Sequence, residues 1–424
     1  MKKSLTVWWD ARVVGTFGLD AHGDIGFAYD PGWTNDPGCP PISLSLPKRE
    51  QPFNRRECRP FFAGLLPEEV QRAEAARTLG VSPGNDFALL EKLGGDVAGA
   101  LTLWPDGERP PLYDGDLATE PLGDNALRNV LDTLPTRPLL AGEKGLRLSL
   151  AGAQAKLPVV LIEGAIALPA PGQPTTHILK PPIPRLPGTT ENEAFTMRLA
   201  AAAGLPVAAV EPRRVGDRPF LLVTRYDRTS ANGLVRRVHQ EDFCQALGIA
   251  PELKYAAEGG PTFKSGFALL RSSTARPALE LLKLLDAALF NLMVGNADAH
   301  GKNFSLLYEA EGRSLAPLYD LLCTVAYPEI SPKLAMKVGG AAQIDQVTEK
   351  TWRHFSEDIA MGAVLIRRRV GELAHAIDTA APTIANDIAA MGFDKAVLDS
   401  LAVTVKERAA RIFDTVAKAR AGGQ

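Results

Sequence analysis

Residues 296–305 read NADAHGKNFS, and the reading of this stretch decides the fold. An acid, a histidine, a lysine and an asparagine fall within six positions, Asp298 to Asn303. Before it, PALELLKLLDAALFNLMVG (277–295) has the apolar density of a buried helix, ended by Gly295. After it come the strand-like FSLLYE, the turn AEGR and LAPLYD, which ends in Asp320. The order is helix, polar loop, strand, turn, short strand, acid. Asp298 and Asn303 stand at a D-x-x-x-x-N spacing.

Phosphoryl transfer needs these groups and few others. A carboxylate orients the attacking hydroxyl and takes its proton, while an amide oxygen and a second carboxylate hold Mg²⁺ against a triphosphate. Asp298 suits the base, and Asn303 with Asp320 suits the metal. His300 or Lys302 can neutralise phosphate charge in the transition state. Taken singly, an Asp in a loop is more often a turn or cap residue. The hairpin and Asp320 in register give the pattern its weight.

The totals set bounds around that reading. The 424 residues suggest two or three domains, or one enzyme with two lobes, and 46% hydrophobic with 23% charged residues is an ordinary folded composition. A formal charge of −2 exerts no global pull on DNA or an anionic membrane. Local basic clusters exist at Arg55, Arg56 and Arg59 and at Arg367, Arg368 and Arg369, with solvated helix faces as their plain reading. Cys39, Cys58, Cys244 and Cys323 lie far apart without a CxxC pair, so reduced thiols are expected rather than a zinc site or a disulfide framework. No run approaches the ~20 apolar residues of a membrane span, and MKKSLTVWWDARVVG lacks a signal-peptide core. A soluble, cytoplasmic protein is expected.

Along the chain, SLTVWWD, RVVGTFGL and DIGFAY alternate as strands, and PISLSLP (41–47) reads as another. RPFFAGLLPEEVQRAEAARTLG reads as one helical region, followed by the helix DFALLEKLGG and the strand AGALTLWP. Residues 106–138, rich in Pro and Gly, read as a boundary with little periodicity. Strands resume with LRLSLAG, KLPVVLIEGAIALP, HILK and PFLLVTRYD, with the helix ENEAFTMRLAAAAG between the last two. After about Gln240 the pattern is nearly all helix, interrupted at 295–325. The expected class is α+β, a two-lobed protein-kinase-like fold, divided as 1–138 (an N-terminal α/β subdomain), 139–240 (β-rich, nucleotide-binding) and 241–424 (helical, catalytic).

Upstream residues can serve the same chemistry. THILKPP places Lys180 at a strand end, from which it can reach ATP phosphates. Glu193 can pair with that lysine, or can complete a capping box begun by Thr190. RLSLAGAQAK (147–156) reads as a strand followed by a small-residue loop whose N–H groups can wrap phosphates, although the GxxxxGK[ST] order is missing.

These motifs together resemble the HipA toxins, serine/threonine-protein kinases of bacterial type II toxin–antitoxin modules. The likeness runs through PISLSLP, GLLPEE, LSLAGAQAK, THILK with NEAF, TRYDR, QEDFCQALG, KY…GGP, NADAHGKNFS and PLYD. It implies Asp298 as the catalytic proton acceptor and Asn303 and Asp320 as Mg²⁺ ligands. It implies an ATP-phosphate loop of Ala151, Gly152, Ala153, Gln154, Ala155 and Lys156, with Lys180 as the phosphate-contacting lysine. Thr224, Arg225 and Tyr226 match the adenine-contacting segment, Thr224 replacing an acidic residue there. His300, Gly301, Lys302 and Tyr319 complete the nucleotide neighbourhood.

Ser149 matches the serine that family members autophosphorylate, which ejects the loop and silences the kinase; a phosphate's charge of about −1.5 to −2 beside that loop would repel ATP. The resemblance further implies a helix-turn-helix antitoxin like HipB, operator DNA bound through the antitoxin complex, and an aminoacyl-tRNA synthetase as substrate, typically the glutamyl enzyme. Phosphorylating that enzyme halts translation and yields drug-tolerant, persistent cells. Two other readings compete: a small-molecule phosphotransferase, which the N-terminal 138 residues argue against, and a non-catalytic co-repressor, which the intact acid–amide–acid set argues against.

Overall fold

The computed structural model describes residues 3–111, 119–231 and 234–418. The chain is α+β, as its patterns lead one to expect. It forms two compact units, Met1–Pro181 with Arg213–Glu252 and Pro182–Pro212 with Leu253–Gln424.

In the first unit, Lys3–Trp9, Arg12–Leu19 and Ile25–Tyr29 are the expected strands, and Leu101–Pro105 adds to the free side of the first. Every pairing in this sheet is antiparallel. Leu5, Val7, Phe17 and Phe27, which share one face of the sheet, are fully buried, the period-2 pattern of a sheet with one face on a core. The helix Arg55–Ala63 packs there, its Phe62 stacked on Phe17 at 4.2 Å. The helical run read from RPFFAGLLPEEVQRAEAARTLG is in fact two helices. It breaks between Ala63 and Glu69, where Pro67 offers no N–H.

Three further readings are corrected in this unit. PISLSLP is no strand, since Ser43 and Leu46 form one isolated bridge. The Ser43 hydroxyl donates to Glu241 at 2.5 Å and that of Ser45 to the Gln245 carbonyl at 2.7 Å, so side chains take the place of a ladder. LRLSLAG is also no strand: Leu148 makes a single parallel bridge to Asp96. Finally, the 106–138 segment contains a helix, Asp124–Thr133, which buries Leu127 and Leu131. A pair four residues apart is too short a signal to stand out among flanking prolines and glycines.

The second sheet runs, neighbour by neighbour, Ala165–Ala167, Leu157–Ile162, His177–Lys180, Arg218–Thr224 and Val210–Val215, the first four paired antiparallel. A buried charge cluster ties it to the N-terminal part. The Asp96 carboxylate accepts from the Thr175 hydroxyl (2.6 Å), Arg228 (3.0 Å), Arg237 (3.0 Å) and Arg225 (3.3 Å). Asp227 accepts from Arg225 (2.7 Å) and the Gly99 N–H (2.7 Å). Burial alone would raise the Asp96 carboxyl, but Arg228, Arg237 and Arg225 outweigh it and hold the group well below the usual carboxylate range. Buried charges persist only when paired in this way.

In the second unit, helices span Thr189–Ala202, Phe263–Ser273, Pro277–Val294, Glu349–Ile359, Ala363–Ala390 and Lys395–Lys418. The expected hairpin Ser305–Glu309 with Gly312–Leu315 is present. So is one not foreseen, Lys333–Val338 with Ala341–Gln343, turned by Gly339 and Gly340 at φ 51° and 85°. The Gly-Gly pair was its sequence signal. Thr190 does not cap its helix, because the first turn begins at Thr189 behind Gly188 (φ 73°). No helix among the described residues is long and apolar enough to cross a membrane. All four cysteines are free thiols and buried.

His239, fully buried in the first unit, bonds through Nε2 to the Ile42 carbonyl at 2.8 Å and lies 4.6 Å from the Trp9 ring. Burial lowers its pKa to about 4. Between the ordinary value near 6.5 and about 4, only the unfolded chain binds this proton, so stability falls as pH falls through that window. From pH 7 to pH 5, the wild type is expected to lose about 2 kcal/mol more than His239→Gln in urea unfolding. Equal losses would show that His239 is not held neutral.

Candidate active site

The helix Pro277–Val294 carries eleven buried residues, most of them apolar, and stops at Gly295 with φ 77°. A Cβ at Gly295 would lie 2.4 Å from Val325, so no other residue fits without movement. The chain then stays inside the protein for two residues. Asn296, 3% exposed, donates its amide to Asn291 at 2.8 Å, and its oxygen accepts the Asp298 N–H at 3.1 Å. The Thr324 hydroxyl donates to the Gly295 carbonyl (2.9 Å) and accepts the Ala297 N–H (2.8 Å). The exposed Asp298 therefore rises from a backbone fixed on both sides.

Beyond it, His300 N–H donates to the Asp298 carbonyl at 2.8 Å, and Gly301–Asn303 forms a single tight turn. Lys302 and Asn303 are buried at 6% and 9% exposure. The Asn303 amide meets the Asp320 carboxylate at 3.2 Å. Asp320 itself adopts φ 59°, a left-handed backbone that an Asp tolerates better than most residues. Leu318, two residues before, pairs with the chain at Pro206 and Ala208 through bonds of 2.8 Å each. Tyr319 fastens this arm to the loop, its hydroxyl donating to the Lys302 carbonyl at 2.6 Å and lying 2.7 Å from the Ser305 hydroxyl.

Asn303 and Asp320, 17 positions apart in sequence, are thus brought into contact. Asn303 makes that contact through its amide N–H; its oxygen, which accepts the His300 N–H at 3.2 Å, and the Asp320 carboxylate are hard donors of the kind Mg²⁺ requires. Among the described residues, no group of three or more His, Cys, Asp or Glu could cage a metal. One carboxylate and one amide fit a cation that arrives with phosphate and water ligands of its own.

The first unit assembles the other expected residues. Leu157 pairs with Leu179, which sets the loop Ala151–Lys156 beside Lys180 at one end of the sheet. Gln154 donates to the Pro181 carbonyl at 3.1 Å. Lys156 folds back onto the Ala151 carbonyl at 2.7 Å, over Gly152 at φ 114°. Glu68 N–H reaches the Gly152 carbonyl at 3.2 Å, so GLLPEE braces this loop. Lys180 is 6% exposed. Thr224 ends its strand opposite His177, away from the loop. Arg225 turns inward to Asp227 and the Val97 carbonyl (2.9 Å), so its guanidinium is turned away from any ligand. Tyr226 meets Gln240 through its hydroxyl.

Ser149 is fully buried. Its hydroxyl donates to the Leu65 carbonyl at 2.7 Å and its N–H to the Asp96 carbonyl at 2.9 Å. The basic clusters are largely neutralised within the chain: Arg59 pairs with Asp86 (2.8 Å) and Glu252, and Arg369 with Asp286 (2.7 Å) and Glu372.

Sequence reasoning missed three residues that brace the stretch from Gly295 to Cys323. Asn192 closes a two-way amide bond with the Cys323 backbone at 2.7 and 3.0 Å, holding the segment after Asp320. Thr324 is the second, and its only signal is a lone threonine two residues past an apolar pair. Tyr255, in KY…GGP, donates to Asp298 at 3.0 Å.

Comparison with known proteins identifies the family. The HipA-like C-terminal domain family matches residues 148–383 and the HipA N-terminal domain family residues 5–104. The chain is 59% identical over 409 residues to "Putative kinase Y4mE" of Sinorhizobium fredii, covering 96% of this chain and 97% of that one. It is 34% identical over 293 residues, 66% of each chain, to "Serine/threonine-protein kinase toxin HipA" of Shewanella oneidensis. The solved complex of HipA, HipB and operator DNA from Shewanella oneidensis contains a chain that superposes with a TM-score of 0.83. That match has 27% identity and spans 98% of this chain and 99% of that one.

If Thr324 fixes the backbone before Asp298, Thr324→Val should strand the buried Ala297 N–H and take one of two hydrogen bonds from the Gly295 carbonyl, which keeps the Val325 N–H, at nearly constant volume. The expected cost is about 2 kcal/mol in urea unfolding, with Thr324→Ser close to wild type. A Val variant as stable as wild type would mean the hydroxyl does no such bracing.

Proposed function

The chain belongs to the HipA family, and on that footing we propose that it is an ATP- and Mg²⁺-dependent serine/threonine-protein kinase, the toxin of a toxin–antitoxin pair. The observation that carries this reading is the contact of Asn303 with Asp320, at the foot of a loop that projects an exposed Asp298. When bound, Mg-ATP supplies the transferable phosphoryl group and a cation to neutralise its charge. This chain's residues do the rest by position. The small-residue loop Ala151–Lys156 and Lys180 receive phosphate oxygens, and the backbone of Thr224–Tyr226 receives adenine. Asn303 and Asp320 hold the metal through oxygen. Asp298 accepts the proton of the attacking hydroxyl as its oxygen closes on phosphorus. His300, Gly301, Lys302 and Tyr319 shape the neighbourhood of that loop.

Three finer statements accompany this. The acceptor is an aminoacyl-tRNA synthetase, the glutamyl enzyme first among candidates, and its phosphorylation stops translation and promotes persistence in the cytoplasm. A HipB-like antitoxin restrains the kinase and brings it to operator DNA, a partnership supported by the likeness to the HipA chain that Shewanella oneidensis assembles with HipB and operator DNA. Ser149 is an autophosphorylation site. Because its hydroxyl is buried against Leu65, modification there requires the loop to leave its seat first. A phosphate added then, at about −1.5 to −2 charge, has no room to return.

Asp298→Asn should keep the fold and abolish ³²P transfer from ATP, dropping it by at least about a thousandfold, and should relieve growth arrest on expression. Co-incubation with cell extract and mass spectrometry then reads the acceptor. Phosphate on metabolites alone would overturn the protein-kinase reading in favour of a small-molecule phosphotransferase.

A further inference from the structure

The motif KY…GGP has no part in the mechanism so far, yet it touches the proposed base. The Tyr255 hydroxyl donates to Asp298 Oδ1 at 3.0 Å. That is the hydrogen bond an attacking serine or threonine hydroxyl must make before it can give up its proton. The contact is built rather than incidental. The Tyr255 ring meets His300 edge-on, with centroids 5.4 Å apart at 82°, and the Lys254 ammonium lies 5.4 Å from the ring centroid. The Lys254 carbonyl accepts the Gly301 N–H at 3.3 Å, and Gly260 N–H returns to the Tyr255 carbonyl at 3.0 Å.

Two glycines let these loops close on each other. A Cβ at Gly260 would sit 2.1 Å from the Leu253 carbonyl oxygen, and one at Gly301 would sit 2.4 Å from Pro261. Both loops therefore carry a residue chosen for close approach, and the result is a phenol aimed at an exposed carboxylate.

We propose that the Tyr255 hydroxyl holds the acceptor's place on Asp298, so that a phosphoacceptor must displace it and water does not. The inference rests on the kinase reading. Asp298 is exposed while Ala297, Ala299 and His300 beside it are buried, so an unguarded carboxylate would activate solvent. In that side reaction a water oxygen bonds to the γ-phosphorus, its proton passes to Asp298, and the bond to the β-phosphate oxygen breaks to release ADP. A docked protein segment brings the binding energy to push the phenol aside; a single water does not. Tyr255 thereby sets specificity for a macromolecular hydroxyl over solvent.

The test is ADP release by the full chain with Mg-ATP and no acceptor, comparing wild type, Asp298→Asn, Tyr255→Phe and the double variant. Tyr255→Phe keeps the ring and its contact with His300. It is expected to hydrolyse ATP about fivefold faster or more, the factor a single hydrogen bond is worth, and the added rate should vanish in the double variant. A merely structural tyrosine would lower the rate instead. An unchanged or lower rate, a rise that survives loss of Asp298, or phosphotyrosine at position 255 by mass spectrometry overturns the place-holder. If Asp298→Asn transfers ³²P to protein as readily as wild type, the kinase reading itself falls, and this inference with it. Asp298-dependent turnover that ignores Tyr255→Phe removes this inference alone.

Discussion

The Thr324 hydroxyl, buried where the helix Pro277–Val294 stops, holds Gly295 and Ala297 at once. Ending a buried helix leaves carbonyls and N–H groups without partners, and such groups must be satisfied before anything can be displayed. Here they are met by Thr324, by the Asn291–Asn296 amide pair, and by Gly295 N–H returning to Asn291. With those settled, Asp298 can project outward from a backbone that does not move. Asn192 and Tyr319 do the same for the arm that ends in Asp320. The acid, the amide and the second acid are thus fixed by groups that perform no chemistry themselves.

The first unit solves a different problem. Two carboxylates and three guanidiniums lie out of water around Asp96 and Asp227. Their arrangement commits residues 96–99 to Thr175 and Arg225, which flank the strands His177–Lys180 and Arg218–Thr224. Asp96 also gives its carbonyl to Ser149. The cluster, the GLLPEE segment and the loop Ala151–Lys156 therefore form one connected support for Ser149, and anything that frees the loop must break bonds to both Leu65 and Asp96.

Much of this was legible in the sequence, and the residues show why. The helix ending at Gly295, the hairpin after it and the first three strands carry long, clean periodicity. PISLSLP and LRLSLAG alternate just as well but lack a neighbouring strand, because side-chain bonds from Ser43 and Ser45, and one bridge at Leu148, use up their partners. The helix Asp124–Thr133 and the Lys333–Gln343 hairpin are too short for their periodicity to stand out. The site's charged residues announced themselves by type and spacing. Its supports did not, since Asn192, Tyr255 and Thr324 act through contacts with residues 27 to 131 positions away. Thr190 shows the converse error, a capping spacing that the chain declines because Gly188 turns the backbone first.

The central claim is that Asn303 and Asp320 grip a metal that comes with ATP. Titrating the protein with Mn²⁺, followed by electron paramagnetic resonance, with and without a non-hydrolysable ATP analogue, tests it directly. Tight uptake is expected only with the analogue, weakened tenfold or more by Asp320→Ala and by Asn303→Ala, and lost along with nucleotide affinity in Lys180→Ala. Mn²⁺ binding that needs no nucleotide, or that is indifferent to both Asp320 and Asn303, would contradict the account.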